Sequence, residues 1–347
     1  MRLPCMSLLL LPFLTLSLAA PNRRATTCNG SPLLCSRQYS NITFIGAHDS
    51  FALSPSLAGN QDYDLTQQLT DGIRMLQNQA HSANNTIELC HTSCSLLDGG
   101  SLAIYLGKLK VWLDANPGEV VTLLLVNNDD LPVSQFGAVL QSVGLDTVSF
   151  NPGKASLTLQ EWPTLGQMLD QGTRLVTFMD TNADFQSVPY ILDEFSNMWE
   201  TAFDVTTTFD CVVNRTHGDP TTQLSTINHF LDIGTTIAGI GITMPDKPAL
   251  PQTNAVSGPN SLGAQAQECV AENGRAPNFL LVDYYEVGGG SVFEVAAELN
   301  GIPYSQGVIA SVPGTAGGTG TGGTGTGGTA TTLAGGRETS LGGFLPR

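Results

Sequence analysis

Basic residues are scarce in this chain. It has 14 lysines and arginines against 30 aspartates and glutamates, which gives a formal net charge of -16 at pH 7. Because binding to a nucleic-acid backbone depends on clustered Lys and Arg side chains, we expect no nucleic-acid partner. The same shortage argues against tight electrostatic docking on anionic membranes. Any phosphate group that the protein handles must therefore be held by a local arrangement of side chains.

The apolar run near the start of the chain, from Ser7 to Leu18, is too short to span a membrane. It follows Arg2 and precedes small residues and Pro21, a pattern that is typical of a secretory signal peptide over residues 1–19. We therefore expect the protein to be secreted. Four Asn-x-Ser/Thr sequons agree with export, at Asn29, Asn41, Asn84 and Asn214.

Glycine and threonine dominate the chain from residue 314 onward. This composition offers too little apolar surface to offset the entropy of ordering, so a disordered tail is predicted. The last residues are not the apolar run that a lipid-anchor signal needs, and tethering to a cell wall is the alternative role for the tail. The chain is thus divided into a signal peptide (1–19), an N-terminal segment (20–37), a single domain (38–313) and a tail (314–347).

Spacings typical of metal-binding cysteines and histidines, Cys-x-x-Cys and His-x-x-x-His, do not occur. Without the signal peptide six cysteines remain, an even number that indicates disulfides in a secreted protein. The sequence does not fix the pairing, but loop closure favours Cys28 with Cys35 and Cys90 with Cys94, which leaves Cys211 for Cys269. A metal site is the competing interpretation, although an oxidising compartment argues against free thiolates.

Apolar strands alternate with longer helical segments in the domain, which favours an α/β barrel. The predicted buried strands are Ile42–Ile45, Ile73–Gln79, Ile87–Leu89, Val120–Val126, Leu175–Met179, Thr235–Ile242 and Phe279–Val282. The predicted helices are Leu102–Ala115, Val133–Val143 and Val292–Leu299.

Polar or ionisable residues follow several of these strands. They are His48 and Asp49 after the first strand, His91 after the third, Asn127 and Asn128 after the fourth, Asp180 after the fifth and Asp283 after the last. The carboxyl ends of parallel barrel strands gather on one face, where catalytic residues lie. Because imidazole titrates near working pH, one histidine can accept a proton while the other donates one. The pattern therefore predicts acid–base chemistry by His48 and His91.

Structural roles compete with each of these assignments. Asp49 or Ser50 can cap a following helix, His91 can be a surface residue beside a disulfide, and Asp283 can cap a loop. Neither of two further histidines, His217 beside Arg215 in a polar loop and His229 in a packed segment, receives a functional role.

The order of several motifs resembles the X region of phosphatidylinositol-specific phospholipase C, as found in secreted fungal PLC-like phosphodiesterases. The motifs are Ile45-Gly-Ala-His-Asp-Ser50, Gly72-Ile-Arg74, the strand-end His91, Asn116-Pro-Gly-Glu-Val-Val121, Trp162-Pro-Thr-Leu-Gly166, Ile227-Asn-His-Phe-Leu231 and Pro277-Asn-Phe-Leu-Leu-Val-Asp283. The resemblance covers residues 40–300 and implies a distorted TIM (β/α)8-type barrel.

The resemblance also implies roles for the strand-end residues. His48 would accept the proton of an inositol 2-hydroxyl, whose oxygen attacks phosphorus, and His91 would protonate the departing diacylglycerol oxygen to leave a cyclic phosphate. Asp49 and Asp283 would orient His48 or stabilise its charged form. The expected partner is a phospholipid or another small phosphodiester, met by a monomer through transient contact with a membrane surface.

The second strand departs from the family pattern. Bacterial members carry an Asp and an Arg two residues apart there, and calcium-dependent members carry acidic ligands, whereas this chain has Gln77 and Gln79. These amides share a strand face with His81. Calcium loses its expected carboxylates, so we expect no metal and no cofactor.

Loss of a preorganised cation would cost about 3 kcal/mol or more in transition-state stabilisation unless another group replaces it. His81 as an imidazolium and Lys247 are the candidate replacements, and with Gln77 and Gln79 they form the predicted substrate-binding set. Arg74 lies on the opposite strand face and is expected to form an ion pair instead.

Two other functions remain open. One is a weakened or inactive barrel that binds a sugar phosphate or a cell-wall glycan, since neutral amides suit the recognition of hydroxyl groups. The other is hydrolysis of glycerophosphodiesters, which normally needs a metal held by Glu and Asp at strand ends, and the second strand offers no such ligands.

Overall fold

The computed structural model describes residues 24–237, 240–305, 307 and 309. The predicted signal peptide and the predicted tail lie outside the described residues. Twelve strands are present in the described part: β1 (Phe44–Ala47), β2 (Met75–Ala83), β3 (Thr86–His91), β4 (Leu97–Ser101), β5 (Val121–Asn127), β6 (Leu175–Met179), β7 (Ile191–Asp193), β8 (Met198–Glu200), β9 (Leu224–His229), β10 (Asp232–Ile237), β11 (Ile240–Pro245) and β12 (Phe279–Val282).

Helices of very different length connect these strands. They are α1 (Leu65–Asp71), α2 (Leu102–Ala115), α3 (Val133–Ser142), α4 (Leu165–Asp170), α5 (Glu194–Asn197), α6 (Leu250–Thr253), α7 (Leu262–Asn273) and α8 (Ser291–Leu299). Within the described ranges, no helix combines the length and the apolar character that crossing a bilayer requires.

Eight parallel strands form a curled sheet in the order β7-β6-β5-β2-β1-β12-β9-β8. In the described part of the chain no ladder joins the end strands β7 and β8, which are linked by the single turn of α5. The architecture is therefore a distorted TIM-type barrel, and the predicted fold class is confirmed.

Helix α2 shows how the sequence builds the outer layer. Its first turn is capped by the Ser101 hydroxyl, which accepts a hydrogen bond from the Ile104 amide, and leucines at helical spacing turn one face toward the sheet. Leu102, Leu106 and Leu109 are fully buried on that face. Each such side chain stabilises the fold by about 1.5–3 kcal/mol.

One predicted barrel strand is wrong. Residues 235–237 and 240–242 belong to β10 and β11, which pair antiparallel with each other in a separate two-stranded sheet. The barrel strand in this region is β9, which is buried along its whole length although it carries polar residues. Those groups are satisfied internally, since the Asn228 side chain donates to the Thr201 carbonyl and His229 contacts Gln265. Because β9 mixes polar and apolar residues, its sequence pattern does not predict a buried strand.

The third predicted strand, Ile87–Leu89, is also not one of the parallel barrel strands. β3 pairs antiparallel with the end of β2, with Ala80 opposite Leu89 and Ala83 opposite Thr86. Two residues further along this register, His91 comes level with Asn78. His91 thus reaches the mouth of the barrel on the return arm of a hairpin, and not at the end of a barrel strand.

All three favoured disulfides are present, joining Cys28 to Cys35, Cys90 to Cys94 and Cys211 to Cys269. The expected ion pair of Arg74 is also present, with Glu119 at 2.8 Å.

Candidate active site

Asp49 lies between two imidazoles at the mouth of the barrel. Its Oδ2 atom is 3.8 Å from Nε2 of His48 and 3.4 Å from Nε2 of His91. The Asp49 side chain is fully buried, and its other oxygen, Oδ1, has no hydrogen-bond partner among the described residues. One carboxylate oxygen thus faces the reactive nitrogens of both histidines.

The turn after β1 places these groups. Asp49 has a φ of +39°, an unusual value for a residue other than glycine that lets the chain leave the strand abruptly. Side-chain hydrogen bonds help to hold the turn: the Ser50 hydroxyl donates to Oε1 of Gln68, and the Gln61 side chain donates to the His48 carbonyl at 2.8 Å. His48 itself donates its backbone N–H to the Val282 carbonyl, which ties the turn to β12.

The ring of His48 is fixed on three sides. Nδ1 lies 2.9 Å from Oδ1 of Asp283, so in the neutral ring it donates to that carboxylate and leaves Nε2 to accept a proton. The side-chain amide of Asn60 donates to both oxygens of Asp283, at 3.2 Å each. The ring of Phe230 stacks on the imidazole with centroids 3.8 Å apart and planes inclined by 2°. These contacts hold Nε2 toward the interior of the mouth.

His91 is placed by a short disulfide loop. The Cys90–Cys94 bond closes the chain just beyond β3, and Thr92 within this loop has a φ of +60°. The Thr92 amide donates to Oε1 of Gln79 at 3.1 Å. The loop is therefore attached to the second barrel strand next to the catalytic candidates.

Gln77 and Gln79 both bind Asp49. Oε1 of Gln77 accepts the Asp49 backbone N–H at 2.6 Å, and Nε2 of Gln79 donates to Oδ2 of Asp49 at 2.7 Å. Both glutamines also line the cavity at the barrel mouth. Their strand parity was predicted correctly, and their observed contacts are with the carboxylate between the histidines.

The other two predicted substrate-binding residues lie elsewhere. Nδ1 of His81 is 3.2 Å from Asp129, on the part of β2 that pairs with β3. The ammonium of Lys247 lies 4.5 Å from the ring centroid of Tyr284. Neither His81 nor Lys247 is among the described residues that line the cavity.

A cavity of about 860 Å³ opens beside the histidines. This volume is in the range of small-molecule sites. His48, His91, Gln77 and Gln79 lie on its wall, and so do five carboxylates, namely Asp180, Glu194, Glu200, Asp204 and Asp232. Among the described residues, Arg215 is the one Lys or Arg on this wall.

Arg215 already forms an ion pair and contacts two aromatic rings. Its Nε atom bonds to the Glu200 carboxylate, and its guanidinium lies 4.6 Å from the ring centroid of Phe203 and 4.9 Å from that of Phe195. In the described ranges no group of three or more His, Cys, Asp or Glu side chains is arranged to hold a metal ion.

Burial and charge change the proton affinities of the site. Burial alone would lower the pKa of His48, but the carboxylates of Asp283 and Asp49 outweigh it and raise the pKa to about 9. Burial also raises the pKa of Asp49. Elsewhere on the cavity wall, burial and the charge of Asp283 raise the pKa of Asp232 to about 7. His48 therefore carries a proton at neutral pH in the free protein.

Several residues of the site were not predicted. Asn60 and Arg215 lie in loops whose sequence carries no periodic pattern, Glu194 begins the one-turn helix α5, and Glu200 ends the three-residue strand β8. Phe230 belongs to the segment Ile227–Leu231, which resembles the family, but its stacking on His48 cannot be predicted from the sequence. Only the folded barrel brings these residues together.

Sequence comparison identifies relatives of this chain. The profile of the family described as PI-PLC X 1 matches residues 34–300. The PI-PLC X domain-containing protein 1 of Arthroderma benhamiae is 40% identical over 289 residues, which cover 82% of this chain and 92% of that protein. Another protein of that fungus, named as an uncharacterized secreted protein, is 46% identical over 286 residues. That match covers 80% of this chain and 65% of the relative's length.

Solved structures share the fold at low sequence identity. Phosphatidylinositol-specific phospholipase C from Listeria monocytogenes superposes with a TM-score of 0.51 at 14% identity, over 79% of this chain and 98% of that one. The F249X mutant of the Staphylococcus aureus enzyme gives a TM-score of 0.50 at 17% identity, over 78% of this chain and 95% of that one. The structural similarity therefore extends over the whole barrel.

Proposed function

The chain belongs to the PI-PLC X domain family, and from this premise we propose that it is a secreted phosphodiesterase of phospholipase C type. Its substrate is an inositol phospholipid or a related glycosyl-phosphoinositide, and its catalysis rests on two histidines without a metal. The single observation that carries the proposal is the position of Nε2 of His48 and Nε2 of His91 around one carboxylate oxygen, at the wall of a cavity.

The first step is a proton transfer to His48. Nδ1 faces Asp283, so Nε2 takes the proton of the inositol hydroxyl next to the phosphate. The hydroxyl oxygen then forms a bond to phosphorus. Asp283, held by Asn60, stabilises the resulting imidazolium.

The second proton transfer releases the lipid. His91 donates the proton on Nε2 to the diacylglycerol oxygen as its bond to phosphorus breaks, and the products are diacylglycerol and a cyclic inositol phosphate. Asp49 lies beside Nε2 of both histidines, where it stabilises whichever ring is charged. The carboxylates of the cavity wall are suited to binding the hydroxyl groups of a polyol headgroup.

The test is product formation from phosphatidylinositol in the presence of EDTA. Wild-type protein should release a cyclic inositol phosphate, and His91→Ala should abolish the product. His217→Ala is the matched control, because this histidine is 62% exposed and lies outside the described cavity wall. Activity that survives His91→Ala would overturn the mechanism, and inhibition by EDTA would favour metal-dependent hydrolysis of glycerophosphodiesters.

A second candidate is a barrel that binds a sugar phosphate or a glycan without cleaving it. It is favoured by the engagement of Arg215 with Glu200, which leaves the developing phosphoryl charge to the imidazoles. Under this alternative, saturable binding of inositol phosphate would occur with no turnover of any phosphodiester. Turnover of a phosphodiester that depends on His48 would exclude this alternative.

A further inference from the structure

Arg23 and Arg24 are the two basic residues of this chain that are adjacent in sequence, and none of the remaining lysines and arginines adjoins another. The pair follows shortly after the predicted signal peptide, which ends at residue 19. The proposed phosphodiester chemistry has no use for it. Paired basic residues behind a signal peptide are typical of a site at which a pro-segment is removed during export.

Among the described residues, contacts between the N-terminal segment and the barrel begin at Ala25, directly after this pair. The Ala25 N–H donates to Oδ1 of Asp170 at 2.7 Å, across 145 positions of sequence. Ala25 also packs against the buried apolar cluster that contains Trp162 and Leu165. Arg24, in contrast, is exposed and forms no hydrogen bond or ion pair with the described residues. The docked part of the segment thus starts at the residue that follows the arginines.

The segment is anchored firmly a few residues further on. Cys28 is fully buried and bonded to Cys35. The Asn29 side chain donates to the Val120 carbonyl at 3.0 Å and accepts the Val120 amide at 2.8 Å. Between these anchors and Arg24, residues 26 and 27 are exposed, and lifting residues 25–27 breaks only the described hydrogen bond of Ala25. A protease can therefore reach the bond after Arg24 without unfolding the domain.

Helix α4 receives the segment at both of its ends. At its start, the Leu165 and Gly166 amides donate to the carbonyls of Arg37 and Cys35, at 3.0 and 2.9 Å. At its end, Asp170 is the last helical residue, and no basic side chain lies in the last turn. Asp170 also forms no ion pair with the described residues. A carboxylate and the free carbonyls of a helix C-terminus both favour a positive charge at this place.

We propose that the Arg24–Ala25 bond is a processing site, cut during export by an endoprotease that recognises paired basic residues, and that the new α-ammonium group of Ala25 forms an ion pair with Asp170. Water adds across the peptide bond, so Arg24 retains a carboxylate and the Ala25 nitrogen becomes an amine that takes up a proton. That nitrogen already lies within hydrogen-bond distance of Asp170, so a neutral hydrogen bond becomes a charge-assisted one in place. The inference goes beyond the phosphodiesterase activity and rests only on the export that the proposed function includes.

The N-terminus of the secreted protein tests the processing site. The full chain, with its own leader, is expressed in a yeast strain that has a dibasic-specific endoprotease and in a strain that lacks it, and the protein in each medium is sequenced from its N-terminus. The first strain should release protein that begins at Ala25, and the second protein that begins before Arg23. Arg24→Ala should give the longer protein in both strains, whereas Arg23→Lys keeps a basic pair and should be cut like the wild type.

Lys108→Ala is the matched control, because Lys108 is an exposed cation on α2 without a basic neighbour in sequence. Its N-terminus should equal that of the wild type in both strains. Wild-type protein that begins before Arg23 in the first strain would overturn the proposal. So would Arg24→Ala protein that begins at Ala25.

The proton affinity of the new terminus tests its pairing with Asp170. An unperturbed α-ammonium group has a pKa of about 8, and a neighbouring carboxylate raises it. In processed protein, Asp170→Asn should therefore lower the pKa of the Ala25 terminus and speed its labelling by an amine-reactive reagent at pH 8 by about 3-fold, in line with an exposed ion pair. Glu272→Gln, which removes an exposed carboxylate on α7, should leave the rate unchanged. Equal rates for Asp170→Asn and the wild type would contradict the ion pair.

The outcome is separable from that of the proposed function, because neither measurement reads turnover. Secreted protein that begins at Ala25 but cleaves no phosphodiester would retain the processing site and lose the enzymatic assignment. Active secreted protein that keeps both arginines would do the reverse. Protein that stays inside the cells of both strains would contradict export and, with it, the processing site.

Discussion

The side-chain amide of Gln79 donates a hydrogen bond to Oδ2 of Asp49, the same oxygen that faces Nε2 of both His48 and His91. An amide orients this carboxylate but does not neutralise it. The two imidazoles are therefore the nearest groups that can carry a compensating positive charge. Substrate phosphate entering this site meets His48, whose pKa is raised by the carboxylates of Asp283 and Asp49.

Replacing Gln79 with arginine should raise turnover. The substitution would add a fixed cation next to the reacting phosphate, and such a donor contributes about 3 kcal/mol where it is preorganised, with a gain of about 10-fold in kcat expected after imperfect placement. The measurement is kcat for release of cyclic inositol phosphate. Gln79→Met is the neutral comparison and should lower kcat, because Asp49 and the Thr92 amide each lose a partner. Equal rates for both variants would exclude an electrostatic effect.

The pH dependence of kcat/KM should report the charge on His48. On a nitrophenyl ester of inositol phosphate, whose leaving group needs no acid, only the base must be neutral; its pKa is raised to about 9, so activity should rise as pH increases through about 9. Asp283→Asn removes a negative charge that stabilises the imidazolium, which lowers the pKa of His48 and moves the rising limb to lower pH. Asp129→Asn, beside His81, should leave the limb in place. A limb that Asp283→Asn does not move would contradict the assignment of His48.

Phosphorylated inositol headgroups should be poor substrates. Among the described residues, the cavity wall carries five acidic side chains and one arginine, which is paired with Glu200. Additional phosphate groups on the headgroup would be repelled there, and we expect kcat/KM for a bisphosphorylated inositol lipid to be at least about 100-fold below that for phosphatidylinositol, in line with the cost of unpaired charge in a buried site. Comparable rates for the two lipids on the same vesicles would show that the headgroup binds away from this wall.

Removing the disulfide next to His91 should affect activity more than stability. Cys90 and Cys94 are separated by four positions, so the bond constrains the unfolded chain little, and loss of both cysteines should lower the free energy of unfolding by about 2 kcal/mol or less. Turnover should fall strongly because the loop positions His91. Cys28 and Cys35, which lie outside the described cavity wall, give the control: their removal should change thermal stability without changing kcat. If both variants keep full activity, the loop does not position the acid.

The sequence was sufficient for the barrel. The structure brings together the four residues that the strand-end pattern and family resemblance picked out, and their roles stay predictions. Strands β6 and β12 and helix α2 lie at their predicted bounds, because each is apolar in a simple pattern. The sequence pattern did not predict strands whose buried residues are polar. β9 contains Ser225, Thr226 and Asn228, and its buried state depends on partners distant in sequence.

Most unpredicted parts of the site come from irregular loops. Asn60 orients Asp283 across 223 positions of sequence, and Arg215 reaches Glu200 from a segment with no periodicity. Such contacts arise from tertiary packing, which local propensity does not encode. The roles of His48, His91, Asp49 and Asp283 remain predictions that the geometry makes testable.

The most direct test of the two-histidine account compares leaving groups. A nitrophenyl ester of inositol phosphate needs no general acid, because nitrophenolate leaves without a proton, whereas the diacylglycerol oxygen requires one. The account predicts that His91→Ala loses activity on phosphatidylinositol but retains most of it on the nitrophenyl ester, while His48→Ala loses both. Equal loss on the two substrates by His91→Ala would contradict its role as the acid.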